Sequence, residues 1–545
     1  MIRKLVLLHL FFISIVYFSY ADNYPRNYTI DIKHYTFYIQ LSDSSDEIVG
    51  KALIEVTCKK EGTRSIRLDL INKTVERQNK GMLVSSIMVD GKTVSYLHEK
   101  DALVIDLPIK AKGQNWIISI QYRGIPAGGL KIGKTKFGDR SFCNENWPNN
   151  ARHWLPAIDH LYDKATSEFI VTAPSKYKVI SNGLLQKETV LNNGFTITHW
   201  KQSVPVSPWL FVLGVAQFEV QDLSAFSGKP IQTWVYPQNK EAGFYDFKEP
   251  TKKVLQFYSN YVGPFAYEKL ANIQSPSVSG GMETSSAIFY AENLITGTAS
   301  VGLRDVIIHE IAHQWFGNAV TEKTWDDAWL SEGFATYFTL LFQENEYGHD
   351  YYMEGLKKAK RSIANYLKKD SSFSIVKNRT AELEPVTSTI TYQKGAWVLH
   401  MLRAYIGNDN FKKGIQAYYK KYFNSNASTE DFINEMEKAS SKKLKPFLDQ
   451  WLNTTYTLTL NGGWTYNENN KTVSIQLIQD TKSDFLFDVP VDIAIHSAEN
   501  DSAKIITIQL NTLNKHIEIP CKQKPTSLEL DPRTNLLMNS NFKQQ

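Results

Sequence analysis

The chain has 545 residues, 42% of them hydrophobic, and a formal net charge of +5. So small an imbalance over this length excludes a dedicated nucleic-acid or anionic-membrane surface, while the apolar content suffices for several domain cores. The three cysteines, Cys58, Cys143 and Cys521, are far apart and odd in number, which excludes a disulfide framework and a Cys-x-x-Cys metal site.

Residues 1–21 have the form of a signal peptide. Arg3 and Lys4 precede a largely apolar run from Leu5 to Phe18, and Ser19-Tyr20-Ala21 offers a small-residue cleavage site. Arg3 and Lys4 are its charged residues, so cleavage takes the net charge from +5 to +3. No later stretch is long and apolar enough to span a bilayer, and the expectation is an exported protein, periplasmic or secreted, with no integral span after cleavage. Residues 22–220 are expected to form a β domain. Tyr35, Phe37, Ile39 and Leu41 alternate, as do Leu53 and Glu55 against Ile54 and Val56, with turn clusters at Ser42 to Asp46 and at Asp90-Gly91.

From residue 221 the pattern changes, and a second unit is expected over 221–455. Gly280-Gly281-Met282-Glu283-Thr284 pairs two glycines, as an edge strand closely approached by another backbone requires. Then follows His309-Glu310-x-x-His313, with Glu332 after eighteen intervening residues. Residues four apart share a helix face, so His309 and His313 can direct their imidazoles at one ion, with Glu310 about 100° round. Val306, Ile307, Ile308 and Ile311 predict a buried, rigid helix, and Gly317 falls where its stop is expected. Thr324-x-x-Asp327 has the form of a capping box for a second helix, which would return Glu332 to the histidines. Two His and one carboxylate leave a fourth position open, the catalytic rather than structural pattern for zinc, and one Zn²⁺ per chain is expected. Helical spacing continues over Tyr351 to Lys368, Gly395 to Ile406 and Asn410 to Phe423, and Ser428-x-x-Asp431 is a further capping-box candidate.

Over 456–545 the period becomes two, in Val473/Ile475/Leu477, Val489/Val491/Ile493/Ile495, Ile506/Ile508/Leu510 and Ile517/Ile519, with Asn-Gly and Asn-Asn expected as turns. This predicts a small β-sandwich.

The strings HEIAHQWFGNAV and WDDAWLSEGFA resemble the zinc aminopeptidase family that includes aminopeptidase N and leukotriene hydrolase. GGMET (family G-x-M-E-N, with Thr284 at the last place), Tyr392-Gln393-Lys394-Gly395 (family Y-x-K-G) and the Ala151-Arg152 to Asp159 stretch follow in the family's order. The resemblance implies an α+β multidomain fold: an N-terminal β-saddle, a thermolysin-like α/β catalytic domain and a small C-terminal β-sandwich, with no C-terminal helical domain. It suggests a three-domain exported member of bacterial type. It implies that His309, His313 and Glu332 hold zinc, that Glu310 is the general base, and that Tyr392 stabilises the oxyanion. Glu283 would bind the substrate's free ammonium, with Gly280, Gly281 and Met282 pairing its backbone. Relatives carry a second amine-binding Glu or Gln shortly before the arginine. Trp147 stands at that offset here, leaving Glu145 or Asn146 to serve. The implied activity is zinc-dependent removal of N-terminal residues from peptides with a free N-terminus. A bifunctional aminopeptidase and epoxide hydrolase, or an inactive peptide-binding scaffold of the same fold, are the alternatives; the sequence does not indicate oligomeric state.

Overall fold

A computed structural model describes residues 23–376, 386–480, 485–498 and 500–545. The expected signal segment, 1–21, lies outside the described residues. Among those described, no helix is long and apolar enough to cross a membrane, and the three cysteines are free, Cys58 and Cys143 both buried.

The architecture is mixed α+β. An N-terminal eight-stranded sheet is built around Ile30–Gln40, which pairs antiparallel with Ile48–Cys58 and parallel with Ala165–Pro174. The alternation read in the sequence is the inward face of that strand, with Tyr35, Phe37 and Ile39 fully buried. The Arg152–Asp159 stretch is a structural clamp. Arg152 Nε donates to Asp159 Oδ2 at 3.0 Å, and Asp69 receives both Arg67, at 2.7 Å, and the Tyr24 hydroxyl.

A five-stranded sheet follows, with Gly281–Met282 as its edge strand beside Ala287–Ala291. Helix α1 (Lys240–Tyr261) precedes its third strand and carries Pro250 in its interior. Proline there removes the N–H that would bond the Asp246 carbonyl. The Asp246 carboxylate in turn accepts the backbone N–H groups of Thr296, Gly297 and Ala299, fixing the approach to the next helix.

That helix is α2 (Val301–His313). The Ser300 hydroxyl caps it by accepting from Leu303 N–H, and Leu303, Ile307, Ile308 and Ile311 are buried. Helix α3 spans Trp329–Tyr347, α4 His349–Lys369 and α5 Gly395–Ile406. Helices α3 and α5 meet at Gly333 and Gly395, where a Cβ on Gly333 would lie 3.0 Å from Gly395 Cα. Only paired glycines permit that approach. Helices α6 (Asn408–Tyr422), α7 (Thr429–Ser440) and α8 (Lys445–Leu452) complete the helical layer.

Two local expectations are corrected. Thr324-x-x-Asp327 does not cap α3: Trp325–Asp327 form a separate 3₁₀ turn. Asp327 Oδ1 instead accepts from the N–H and hydroxyl of Thr429, at 2.9 and 2.7 Å, at the start of α7, beside the capping box that Ser428 and Asp431 do form. Asn461-Gly462 is not a turn. It lies within the strand Leu458–Asn467, where Gly462 has φ +154 and a Cβ would strike the Gln476 carbonyl at 2.0 Å.

The C-terminal strands form a four-stranded and a three-stranded sheet with Val473, Ile475, Leu477, Val489, Val491 and Ile493 buried. Buried polar bonds tie the N-terminal sheets to the helical unit. Lys164 Nζ donates to the carbonyls of Asn318 and Ala319 at 2.9 and 3.0 Å, and Asn182 Nδ2 to that of Ser285 at 2.7 Å.

Candidate active site

The i, i+4 spacing on α2 puts His309 and His313 on one face, and the first turn of α3 brings Glu332 opposite them. His313 Nε2 lies 3.1 Å from His309 Nε2 and 3.2 Å from Glu332 Oε2, with 3.4 Å between His309 Nε2 and Glu332 Oε2. Donors about 2.1 Å from one tetrahedral ion stand about 3.4 Å from each other, so this triangle fits a single zinc-sized cation.

The surroundings agree with that fit. His313 Nδ1 lies 3.1 Å from the Phe316 carbonyl and 3.0 Å from Ser331 Oγ. Donating its Nδ1 proton to the carbonyl leaves Nε2 bare and pointed at the triangle's centre. Gly317, at φ +109, makes room for this arrangement, because a Cβ there would lie 2.3 Å from Ser331 Oγ. Glu283, Glu310 and Glu332 are all buried here, and among the described residues Glu283 Oε1 and Glu310 Oε2 have no hydrogen-bond partner. Three buried carboxylates beside two imidazoles call for added positive charge.

Electrostatic shifts follow the same imbalance. Burial alone would lower His313, but Glu283 and Glu332 outweigh it and push it up to about 10. Burial raises Glu283 to about 7 against the pull of His313, with the Glu332 charge adding to the rise. Glu310 is held well above the usual carboxylate range by burial and then by Glu283.

Glu310 lies against the edge strand. A Cβ on Gly281 would sit 2.2 Å from the Glu310 carboxylate, so only glycine lets strand and carboxylate approach. Gly280 accepts Ala291 N–H at 2.8 Å, and Gly281 and Met282 pair with Tyr290 and Phe289, leaving the strand's other edge unpaired by the sheet. Glu283 follows at once. Its carbonyl is held by Gln314 Nε2 at 3.0 Å and Asn318 Nδ2 at 2.6 Å. Sequence reading missed these two amides, although both belong to the HEIAHQWFGN string that carries the histidines. Thr284 turns away from the site and bonds the Ala287 carbonyl, closing the turn.

Tyr392 sits in a π-helical turn, Ile390–Lys394, that runs straight into α5. Its hydroxyl donates to Glu332 Oε1 at 2.7 Å, and its ring stacks on His309 with centroids 6.1 Å apart. Lys394, buried, donates to the Thr454 carbonyl at 2.7 Å and pins the turn.

Two clefts open from this centre. One, of about 400 Å³, is lined by Glu283, Met282, Tyr392, Glu145, Trp147 and Lys131. The other, of about 690 Å³, contains His309, Glu310 and the stripe of α4 facing them. Gly281 and Tyr392 belong to both. Trp147 stands edge-on between Trp209 and Trp325, at 5.1 and 5.0 Å, as a wall of the smaller cleft. Glu145, raised by burial, shares that cleft with Glu283, whereas Asn146 is fully buried and bonds Trp154 Nε1 and the Phe211 carbonyl. Of the two residues considered in place of Trp147, Glu145 is therefore the one that lines the cleft.

Comparison with known proteins agrees with this arrangement. The Peptidase M1 N-terminal domain matches residues 31–210 and the Peptidase family M1 domain residues 246–451. Glutamyl aminopeptidase of Bitis rhinoceros is 28% identical over 439 residues, 77% of this chain and 46% of the relative. The human glutamyl aminopeptidase is 33% identical over 323 residues, 57% of this chain and 33% of the relative. Probable aminopeptidase 1 of Saccharolobus solfataricus is 28% identical over 420 residues, 72% and 51% respectively. The chain thus spans about half or less of the length of these relatives. Two domains of one family, matched in order around a His-His-Glu centre, make this chain a member of peptidase family M1.

Proposed function

We propose that the chain is an exported zinc-dependent aminopeptidase that removes N-terminal residues from peptides. The observation that carries this is the closure of one cleft by Glu283 beside the His309, His313 and Glu332 donors. A carboxylate there binds a free ammonium by a charge-assisted bond and rejects peptide segments without one.

Zinc held by the three donors supplies Lewis acidity, lowering a water's pKa towards about 7 and polarising a carbonyl. Glu310 takes the attacking water's proton and passes it to the departing amine nitrogen. Tyr392 donates its hydroxyl to the former carbonyl oxygen as negative charge gathers there. Glu283, with Glu145 across the same cleft, sets the α-ammonium so that the first peptide bond is the one presented. Gly281 and Met282 offer their free strand edge to the substrate backbone.

The test is a panel of aminoacyl-arylamides, glutamyl included because the relatives bear that name, against their N-acetylated forms. Free-amine substrates should be cleaved and acetylated ones spared. Chelation should abolish turnover, and Zn²⁺ should restore it. Turnover that survives exhaustive chelation, or equal cleavage of acetylated substrates, overturns the reading.

A further inference from the structure

Glu283 lines the smaller cleft and not the larger, which shares Gly281 and Tyr392 with it. If the ammonium is held by Glu283, the part of the peptide released by cleavage must leave through this second cleft, so a substrate-binding role for that cleft rests on the proposed function. One bank of the cleft is a single stripe of α4. Glu354, Lys358, Arg361 and Ser362 recur at spacings of three and four and therefore share one face. Helix α4 packs against the turn that holds Tyr392, and Tyr366, near its C-terminal end, lies beside Ser388 just ahead of that turn. Arg361 therefore belongs to the end of the stripe nearer the reacting bond.

The charges on this cleft are not balanced in the same way. Away from Glu310 its acids have partners: Asp305 receives Arg304 at 3.1 Å and Gln343 Nε2 at 3.0 Å, and Glu354 pairs with Lys357 at 2.8 Å. Lys358 and Arg361 are exposed, and among the described residues neither makes a hydrogen bond or an ion pair. Among the described residues, two cations without a hydrogen bond or ion pair, three residues apart on one helical face, line a cleft whose acids Asp305 and Glu354 are already engaged. A guanidinium offers a carboxylate two parallel N–H bonds, and an ammonium nearby adds a second positive charge.

We infer that Lys358 and Arg361 form a binding site for a carboxylate on the leaving segment of the substrate, giving the protein a preference for short peptides. The carboxylate has two sources, the peptide's free C-terminus and an acidic side chain close after the scissile bond. Each extended residue advances the chain by about 3.3–3.6 Å, so the terminal carboxylate moves along the cleft as the peptide lengthens, and only some lengths can bring it to the stripe.

The experiment compares kcat/KM for a tripeptide with a free C-terminus, the same tripeptide amidated, and an amidated tripeptide with Glu as its last residue. An aminoacyl-arylamide, whose leaving group has no carboxylate, serves as reference for an intact site. The parent should favour the free acid over the amide by about three- to tenfold, mostly through KM, and less at high ionic strength. In the Lys358→Ala, Arg361→Ala double variant that ratio should fall to about one. Arg361→Glu should reverse it. Recovery with the Glu-containing amide identifies side-chain carboxylates as ligands too; no recovery confines the site to the C-terminus. A parent ratio near one, or a double variant that keeps the parent's ratio, overturns the inference. If the parent cleaves no arylamide, the aminopeptidase reading has failed, and titration calorimetry with the free-acid and amidated tripeptides decides the carboxylate site by the same ratio.

Discussion

The Tyr392 hydroxyl bonds Glu332 Oε1, while Glu332 Oε2 is the atom facing His309 and His313. One carboxylate thus joins the candidate oxyanion donor to the candidate metal site. On the proposed mechanism Tyr392 has two tasks, to steady Glu332 before reaction and to reach the substrate oxygen during it. Tyr392→Phe should lower kcat by about a hundredfold with KM nearly unchanged. It should also weaken zinc binding by roughly tenfold, as loss of a bond to a metal-holding carboxylate does. Steady-state kinetics and competitive chelator titration measure the two effects separately. A rise in KM alone would move this tyrosine to substrate binding.

Glu310 is close to the donor triangle but is not part of it. Glu310→Gln should keep zinc near one per chain by metal analysis while turnover falls by about a hundredfold or more, because a carboxamide accepts no proton. Loss of the metal in this variant would make Glu310 a ligand and the present assignment wrong.

Gly281→Ala is the smallest change that tests the contact between strand and base. The new methyl would meet the Glu310 carboxylate at 2.2 Å, so either the base or the edge strand must shift. Turnover should drop by at least tenfold while melting temperature and zinc content stay close to the parent's, since a misplacement of about 1 Å at a catalytic group is costly. Gly280→Ala meets no atom within 4 Å and should be tolerated. If the two variants behave alike, the close approach has no catalytic meaning.

How much of this the sequence disclosed depended on whether the signal was local. The helical period alone brings His309 and His313 together, and the two family strings locate Glu332 and Glu310. The strand alternation around Tyr35 and Phe37 marks a buried face in the same way. Other features arise only from packing. No residue pattern announces the π-helical turn at Tyr392, which forms where α3 and α5 touch at Gly333 and Gly395. Helix α1 was hidden by Pro250, a residue that ordinarily ends a helix. Asn461-Gly462 carries the strongest hairpin signal in its region, yet it stays in a strand because Gly462 relieves a clash with a neighbouring carbonyl. Lys358 and Arg361 resemble any solvated helix face until α2 and α3 are placed opposite them.

Amine recognition is tested by Glu283→Ala and Glu145→Ala. Glu283→Ala should cost about ten- to a hundredfold in kcat/KM for free-amine substrates, with zinc content preserved. Glu145→Ala should cost less, since the Glu145 carboxylate already interacts with the Trp147 N–H of its own loop. Both losses should be selective for the charged amine. If Glu283→Ala keeps the parent's ratio of free to acetylated cleavage, the central assignment fails.

The N-terminal sheets carry a pH-dependent element. Asp163 is pushed up to about 8 by burial and by the Asp31 charge, against bonds from Ile32 N–H and the Tyr35 hydroxyl. An unfolded aspartate titrates near 4. The folded state therefore holds a proton that the unfolded chain releases, so this contribution is complete below about pH 4 and is lost as pH rises through about 8. Asp163→Asn removes the titrating group and keeps the shape. The melting temperature of the parent should fall relative to this variant between about pH 4 and 8. Parallel curves would show that Asp163 is not the source.

The bonds from Lys164 to the carbonyls of Asn318 and Ala319 bear on how the chain survives proteolysis. They arise in the N-terminal portion and end just beyond the histidine helix, and Asn182 reaches the Ser285 carbonyl next to the edge strand. A nick at the exposed turn near Ser227 and Gly228 would leave these bonds intact on both sides, so the fragments should stay associated and migrate as one particle until denatured. Expressing residues 246–451 by themselves would instead strip the Asn318 and Ser285 carbonyls of their donors, right beside the candidate active site. The stretch that carries the histidines is therefore not a portable module.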